Sequence, residues 1–140
     1  MFKPVNPDYD ARIRTIFADA AFIADLGVEL AEFGPGWCET RLAIAPRHLQ
    51  QDGVIHAGVQ ATMADHTAGA AAGTLMAADQ IVLTVEFKIH LLRAARGDRL
   101  RCRAEVLRPG RTVTAVESSV FAGDTLVAKL TATMALVSAP

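Results

Sequence analysis

The segment from Ala57 to Ala78 restricts how this chain can fold more than any other, because its 22 residues include no Lys, Arg or Glu. A run of this length is long enough to span a bilayer, and Gly69 and Gly73 have the small-xxx-small spacing of paired membrane helices. Asp65 and His66 interrupt the run, however, and strand-like alternation follows it. We therefore predict a helix that starts near Ala57 and is buried in a soluble domain. No interaction with a membrane is expected.

Asp65 is the residue of this helix that needs an explanation. Burying a carboxylate without partners costs several kcal/mol or raises its pKa. Two interpretations are open at this point. Neighbouring hydroxyl and N–H groups satisfy the carboxylate in a structural role, or its placement serves a chemical reaction.

The rest of the chain shows helical and strand-like patterns. Residues 7–25 have helical composition and spacing, and we predict an N-terminal helical extension there. Two strand-like runs divided by a Gly-Pro-Gly turn follow, and after the apolar helix the period changes from 3.6 to 2 residues. The odd-numbered residues of Ile81–Leu91 are expected to form one apolar face, with Thr84 on the polar face opposite. The predicted strands are Val28–Phe33, Trp37–Ile44, Ile81–Leu91, Arg99–Val106, Thr112–Phe121 and Thr125–Leu136.

This order of elements predicts an α+β protein with the hotdog fold. In that fold a curved antiparallel sheet, here of five to six strands, wraps around one long central helix, to which this chain adds an extra N-terminal helix. A helix that is apolar on nearly all sides needs such an enclosure. We predict a single domain over residues 1–140. The outer edges of such sheets commonly pair with a second copy, so a dimer is expected.

The bulk properties limit the function classes. The formal net charge is −1, so the chain as a whole has no attraction to nucleic acid or to anionic membranes. Cys38 and Cys102 have no metal-binding spacing, and neither a disulfide nor a metal site is predicted. Ser118 and Ser119 lack the sequence context of a hydrolase nucleophile. The N-terminus carries no apolar signal segment, and a cytoplasmic location is expected.

The residues around the start of the helix carry a family resemblance. The segment Gly53–Gly58, GVIHAG, is followed nine residues after its His by Asp65. This pattern resembles the G-x-x-H-G-G motif and helix Asp of the hotdog-fold acyl-CoA thioesterases of the phenylacetate-degradation (PaaI-like) family. The strand Thr84–Ala95 and the turn Arg108–Thr112 are also similar to that family, and the resemblance covers residues 31–136.

The resemblance implies hydrolysis of an acyl-CoA thioester to a free acid and coenzyme A, with neither a metal nor an organic cofactor. The carboxylate of Asp65 would act as general base or as nucleophile. The backbone N–H groups of Ala57 and Gly58 would polarise the thioester carbonyl from the positive end of the helix. Thr84 would orient the attacking water.

Two positions depart from the family pattern. Ala57 stands where the family has Gly, but it keeps the backbone N–H. Gln50 replaces the usual Asn and lengthens the carboxamide by one methylene, and it would position the acyl group or the water. His56 is expected to shape the loop or to contact the thioester. The coenzyme A phosphates would be bound near loop ends by Arg93, Arg108, Gly110, Arg111 and Thr112.

The spacing of Ala57 and Asp65 points to two subunits. Eight residues separate them, about 12 Å along a helix at 1.5 Å per residue, so both cannot serve one acyl group within a single chain. If two central helices run antiparallel across a two-fold axis, Asp65 of one chain approaches the helix start of the other. We expect a homodimer with shared active sites, and the resemblance implies a homotetramer.

Two other functions on the same fold are alternatives. A dehydratase or hydratase of (hydroxy)acyl-CoA needs a His and a carboxylate converging on one substrate carbon, and this chain lacks the Pro- and Gly-rich segment that follows the His in those families. A non-catalytic acyl-CoA binding module would not need Asp65. A catalytic dyad of Asp65 with His66 is rejected because adjacent helix residues face different ways. His48 and His90 are expected at the surface, and the acyl group is left open between aromatic and fatty.

Overall fold

A single six-stranded antiparallel sheet dominates the computed structural model, which describes residues 1–140. The strands follow the order β1-β2-β4-β5-β6-β3, so β1 and β3 form the two edges. The sheet encloses one long helix, which confirms the predicted α+β hotdog architecture. The strands are β1 Glu29–Gly34, β2 Trp37–Ala43, β3 Gln80–Leu91, β4 Arg99–Arg108, β5 Val113–Ala122 and β6 Thr125–Ser138.

The central helix, α3, spans Ala57–Gly73 and begins at the predicted residue. Its alanines favour helix and leave room for the sheet to approach closely. The side chain of Met63 is fully buried against the inner face of the sheet, together with Leu100 and Leu130. None of the helices is long and apolar enough to cross a membrane.

The N-terminal extension contains two helices, so the prediction of one helix over residues 7–25 is wrong in this respect. They are α1, Tyr9–Asp19, and α2, Ala21–Leu26. The break lies at Ala20, whose φ of −80° and ψ of 86° are not helical. Because Phe17 packs edge-on against His66 while Ile13 lies beside Gly73, α1 runs antiparallel to α3 over the side that the sheet leaves open.

Strand β3 exchanges its two faces halfway along. Its pairing with β6 skips Val85, since Thr84 lies opposite Met134 and the next pair starts at Glu86. Before this bulge Thr84 faces α3, and after it Phe87 faces inward, so the predicted continuous apolar face from Ile81 to Leu91 is wrong. A bulge places two residues opposite one and reverses the alternation beyond it.

The two ends of α3 meet different connections. At its start, the Ile55 N–H donates to the carbonyl of Ala95, in the β3–β4 connection, at 2.9 Å. Just past its end, the Thr74 hydroxyl accepts the Gly36 N–H of the β1–β2 turn at 2.8 Å. The Val106 N–H donates to the Gly36 carbonyl at 2.8 Å, so the β4–β5 turn lies at this second end as well.

Candidate active site

Asp65 and Thr84 form the centre of the site. The Thr84 Oγ1–H donates to Asp65 Oδ1 at 2.8 Å. Burial raises the pKa of Asp65, and the hydrogen bond from Thr84 lowers it in part. No cation pairs with this carboxylate. The arrangement therefore holds a half-buried carboxylate by one oxygen and leaves the other free to accept a proton.

The start of α3 presents one free amide. His56 is the N-cap residue, and its Nδ1 accepts the Gly58 N–H at 2.8 Å. The N–H groups of Val59 and Gln60 donate to the carbonyl of His56. Of the two N–H groups predicted to polarise a carbonyl, Gly58 is thus engaged by the cap, while the exposed Ala57 N–H has no acceptor within the chain. The positive end of the helix leaves Ala57 as the available donor.

Gln50 lies in the loop before α3, and its carboxamide turns toward Asp52. The Asp52 N–H donates to Gln50 Oε1, and Gln50 Nε2 lies 3.4 Å from Asp52 Oδ2. The backbone N–H of Gln50 donates to the carbonyl of Val54 at 2.8 Å.

The predicted catalytic residues therefore form two groups in one chain. Asp65 and Thr84 form a pair at mid-helix, and the others gather at the helix start.

The residues predicted to bind coenzyme A lie at opposite ends of the protein. The Arg93 N–H donates to the carbonyl of Val127, which places Arg93 in the β3–β4 connection near the start of α3. The turn Arg108–Thr112 follows β4 at the other end, and all five of its residues are exposed. One chain alone does not bring these two sets together.

Gly110 is required by the packing of this turn. A Cβ at Gly110 would lie 2.0 Å from the Val113 carbonyl oxygen, which no substitution avoids without moving the backbone. Its N–H lies 3.5 Å from Thr114 Oγ1. Another residue at this position would therefore require the turn to change shape. Arg108 and Arg111 are exposed and form no ion pairs.

A cavity of about 210 Å³ adjoins Asp65 between α1, α3 and β3. Its polar lining comprises Asp65, Thr84, Arg12 and His66. Arg12 Nε and His66 Nε2 are buried and have no hydrogen-bond partner. Burial lowers the pKa of His66 to about 4, so its ring is neutral at neutral pH.

The sequence pattern did not predict this cavity. His66 borders the same space as Asp65, although the two side chains share no hydrogen bond, which agrees with the rejection of a dyad. The sequence pattern also predicted no functional role for Arg12. The signal for such a role is its position beside Ile13 and Ile16, in the apolar stripe of α1, where a charged residue is unexpected.

His48 is buried, and its predicted surface position is wrong. It is only 1% exposed. Its Nδ1 accepts the Ala45 N–H at 2.9 Å, so the other ring nitrogen carries the proton and donates to the Leu26 carbonyl at 2.7 Å. Both nitrogens are satisfied, and the role of His48 is to hold the loop before α3. His90 is exposed, as predicted.

The chain is similar to known proteins in both sequence and fold. Residues 52–129 match the model of the family described as the Thioesterase superfamily. An inferred esterase from Haemophilus influenzae is 30% identical over 92 residues, which cover 65% of this chain and 66% of that protein. The crystal structure of a thioesterase family protein from Silicibacter pomeroyi is 35% identical, with a TM-score of 0.91, and covers 94% of this chain and 99% of that chain. The PaaI protein of the E. coli phenylacetic acid degradation operon shares the fold at 16% identity, with a TM-score of 0.86 and 94% coverage of each chain.

Proposed function

Because the chain belongs to the Thioesterase superfamily and is a thioester hydrolase, we propose that its substrates are acyl-CoA thioesters, which it cleaves to a free acid and coenzyme A. Family membership confirms the resemblance to thioesterases seen in the sequence, and with it the prediction that the chain is an enzyme. The observation that carries the proposal is the pairing of Asp65 with Thr84, two helical turns from the free N–H of Ala57.

The proposed reaction uses these groups in fixed roles. The Ala57 N–H donates to the thioester carbonyl oxygen and stabilises the negative charge that develops there. Thr84 holds Asp65 Oδ1, so the second carboxylate oxygen takes a proton from water as the water oxygen bonds to the carbonyl carbon. When the tetrahedral intermediate collapses, the carbon–sulfur bond breaks and the thiolate of coenzyme A leaves with the proton. Direct attack by the carboxylate on the carbonyl would begin from the same geometry.

We propose that two subunits build each site. Asp65 and Ala57 are separated by about 12 Å along α3, so the carboxylate that serves Ala57 comes from the partner. Edge strand β3 supports this pairing, because its outer residues Leu83 and Val85 are 52% and 62% exposed. An open strand edge with apolar side chains is a ready surface for a second copy. Pairing through β3 covers these residues and sets two α3 helices side by side in opposite directions.

The same arrangement gives coenzyme A a continuous binding surface. In an antiparallel pair, the start of α3 in one protomer lies near the end of α3 in the other. Arg93 of one protomer then approaches Arg111 in the β4–β5 turn of the other. The forked guanidinium groups suit the phosphates of the nucleotide.

Two complementary variants test this proposal. Ala57→Pro removes the N–H, and it suits the first helical position because His56 has the extended backbone, φ −60° and ψ 139°, that precedes proline well. Asp65→Asn removes the base. The two chains carry different affinity tags, and the co-expressed heterodimer is isolated by sequential purification. Thiol release is then measured with an acyl-CoA panel.

We expect each variant homodimer to be inactive and the heterodimer to recover about half of the wild-type rate, since one of its two sites keeps both groups. Ala57→Ser retains the N–H and serves as the control that keeps activity. An inactive heterodimer, or a chain that purifies as a monomer, would overturn the shared site. Absence of thiol release from every acyl-CoA by the wild-type protein would overturn the substrate class.

A further inference from the structure

The cavity beneath α1 has a reactive end and a cationic end. Asp65 borders it at mid-helix. Since α1 runs antiparallel to α3 and Ile13 lies beside Gly73, the neighbouring Arg12 lies toward the far end of the cavity. Side chains on a helix lean toward its N-terminus, which for α1 directs Arg12 farther from Asp65. A ligand that starts at Asp65 and extends along α3 therefore ends at a guanidinium.

Arg12 lacks the anion that its neighbour has. Arg14, two residues later, pairs with Asp10 at 2.8 Å at the exposed surface of α1. Arg12 forms no ion pair, and its Nε–H is buried without an acceptor. The Arg12 side chain is half-buried, and a buried charged donor without an acceptor is costly. Because no carboxylate of the chain pairs with Arg12, its guanidinium is available to bind an anionic group of a ligand.

His66 adds a second polar group beside the same space. Its ring is neutral, and the buried Nε2 is unpartnered. His66 directly follows Asp65 on α3 and packs against Phe17, five residues beyond Arg12 on α1, so its ring lines the reactive end of the cavity. Arg12 is therefore the one cationic group at the far end.

The walls between the two ends suit a short hydrocarbon chain. They are formed by Ile16, Met76, Ile81 and Val82. Gly69 leaves open space, since a Cβ built there meets nothing within 4 Å. A volume of about 210 Å³ exceeds that of cavities known to hold a benzene ring, about 150 Å³. The space therefore accommodates a chain of several methylenes with a polar group at its end.

We infer that this cavity is the acyl pocket and that Arg12 selects acyl thioesters carrying a carboxylate at the end remote from the thioester. The inference rests on the proposed function, because the pocket receives this end of the substrate only if Asp65 acts on the thioester. It adds a substrate class, the half-thioesters of dicarboxylic acids, and a residue that specifies it.

Adipyl-CoA and hexanoyl-CoA provide the test, because they have six-carbon acyl chains that differ in a terminal carboxylate or methyl. Thiol release should show kcat/KM at least about tenfold higher for adipyl-CoA, and Arg12→Met should reduce this preference to near unity or reverse it. Arg14→Met, which removes the exposed arginine of the same helix, is the matched control and should keep the preference. Equal rates for the two substrates, or an Arg12→Met variant that keeps the preference, would overturn the inference.

Binding of small esters separates this inference from the proposed function. Isothermal titration should show monomethyl adipate binding to the wild type and to Arg14→Met, with at least about tenfold loss in Arg12→Met and weaker binding of methyl hexanoate. If no thioester is hydrolysed but monomethyl adipate binds in this Arg12-dependent way, the pocket assignment survives and the acyl-CoA proposal fails. If thioesters are hydrolysed but monomethyl adipate does not bind better than methyl hexanoate, the pocket assignment fails alone. Thermal melts of both variants verify that they fold.

Discussion

The buried hydroxyl groups on one side of α3 are hydrogen-bonded within the chain, whereas the ionisable groups on the other side are not fully satisfied. On the side facing the sheet, Thr67 Oγ1 lies 2.7 Å from Thr40 Oγ1 and donates to the Met63 carbonyl at 2.6 Å. The Ser118 hydroxyl donates to the carbonyl of Ala64 at 2.8 Å. On the side facing α1, by contrast, Asp65 has one hydrogen bond, while His66 Nε2 and Arg12 Nε have none.

We infer that this difference separates structural polar groups from functional ones. A buried polar group that serves folding finds its partner within the chain, because an unpaired one costs about 1–3 kcal/mol. Under-satisfied groups that all border one cavity lower the stability of the protein and are expected where a ligand completes their hydrogen bonds. Substitutions on the two sides of α3 test this distinction.

Replacing Asp65 with Asn should lower thiol release by about 10²- to 10⁴-fold, the usual contribution of a general base. The stability should not fall. Because burial raises the pKa of Asp65 above its ordinary value, the native state binds this proton more readily than the unfolded chain. Wild-type stability therefore decreases as the pH rises from the ordinary carboxyl pKa through the raised one, and Asp65→Asn lacks that decrease. Urea titrations between acidic and neutral pH measure it, and a lower stability of the variant at pH 7 would contradict the expectation.

On the sheet side, Thr67→Val should cost about 1–3 kcal/mol of unfolding free energy, because the buried hydroxyl of Thr40 loses its side-chain partner. The rate of thiol release per folded molecule should not change. The double variant Thr40→Val with Thr67→Val removes both hydroxyls and should recover much of the loss. Urea denaturation gives the free energies, and a fall in kcat at unchanged stability would place Thr67 in the active site instead.

On the cavity side, Thr84→Val should reduce thiol release by about tenfold, equivalent to about 1.4 kcal/mol, and shift its pH dependence. The hydrogen bond from Thr84 lowers the pKa of Asp65, so its removal raises that pKa further. In the proposed reaction the base is the ionised carboxylate, and the acid limb of the pH–rate profile should therefore move to higher pH. Thr84→Ser keeps the hydroxyl and should leave the limb in place.

The smallest effect is expected at the floor of the cavity. Gly69→Ala should stabilise the protein by about 0.5–1 kcal/mol, because glycine is unfavourable within a helix and the new methyl enters open space. Gly73→Ala is the matched control. Its Cβ would lie 3.1 Å from Ile13 Cδ1, and this crowding should offset the gain. Equal stabilisation of both variants would show that α1 shifts readily to accommodate the added methyl group and that the shape of the cavity beneath it is not rigid.

Much of the architecture follows from local patterns, and so does the placement of Asp65. The alternation of β4, β5 and β6 and the apolar composition of α3 predicted a sheet of five to six strands around the helix, and the structure has six. The residues around the α3 start led to the thioesterase family. The bulge at Val85 escaped prediction because skipping one residue in an alternating strand leaves no mark on composition. The burial of His48 also escaped, since its partner Leu26 is 22 residues away and the loop between them has no regular period.

The sequence alone is enough to predict one helix enclosed by one antiparallel sheet, with a carboxylate on that helix, because periodicity and composition are properties of neighbouring residues. Which polar groups are satisfied depends on the tertiary structure. Arg12 and His66 are 54 residues apart in the chain and border the same cavity only because α1 packs across the open side of α3. Whether a buried donor meets an acceptor depends on such contacts between distant segments, and the local pattern carries no record of them.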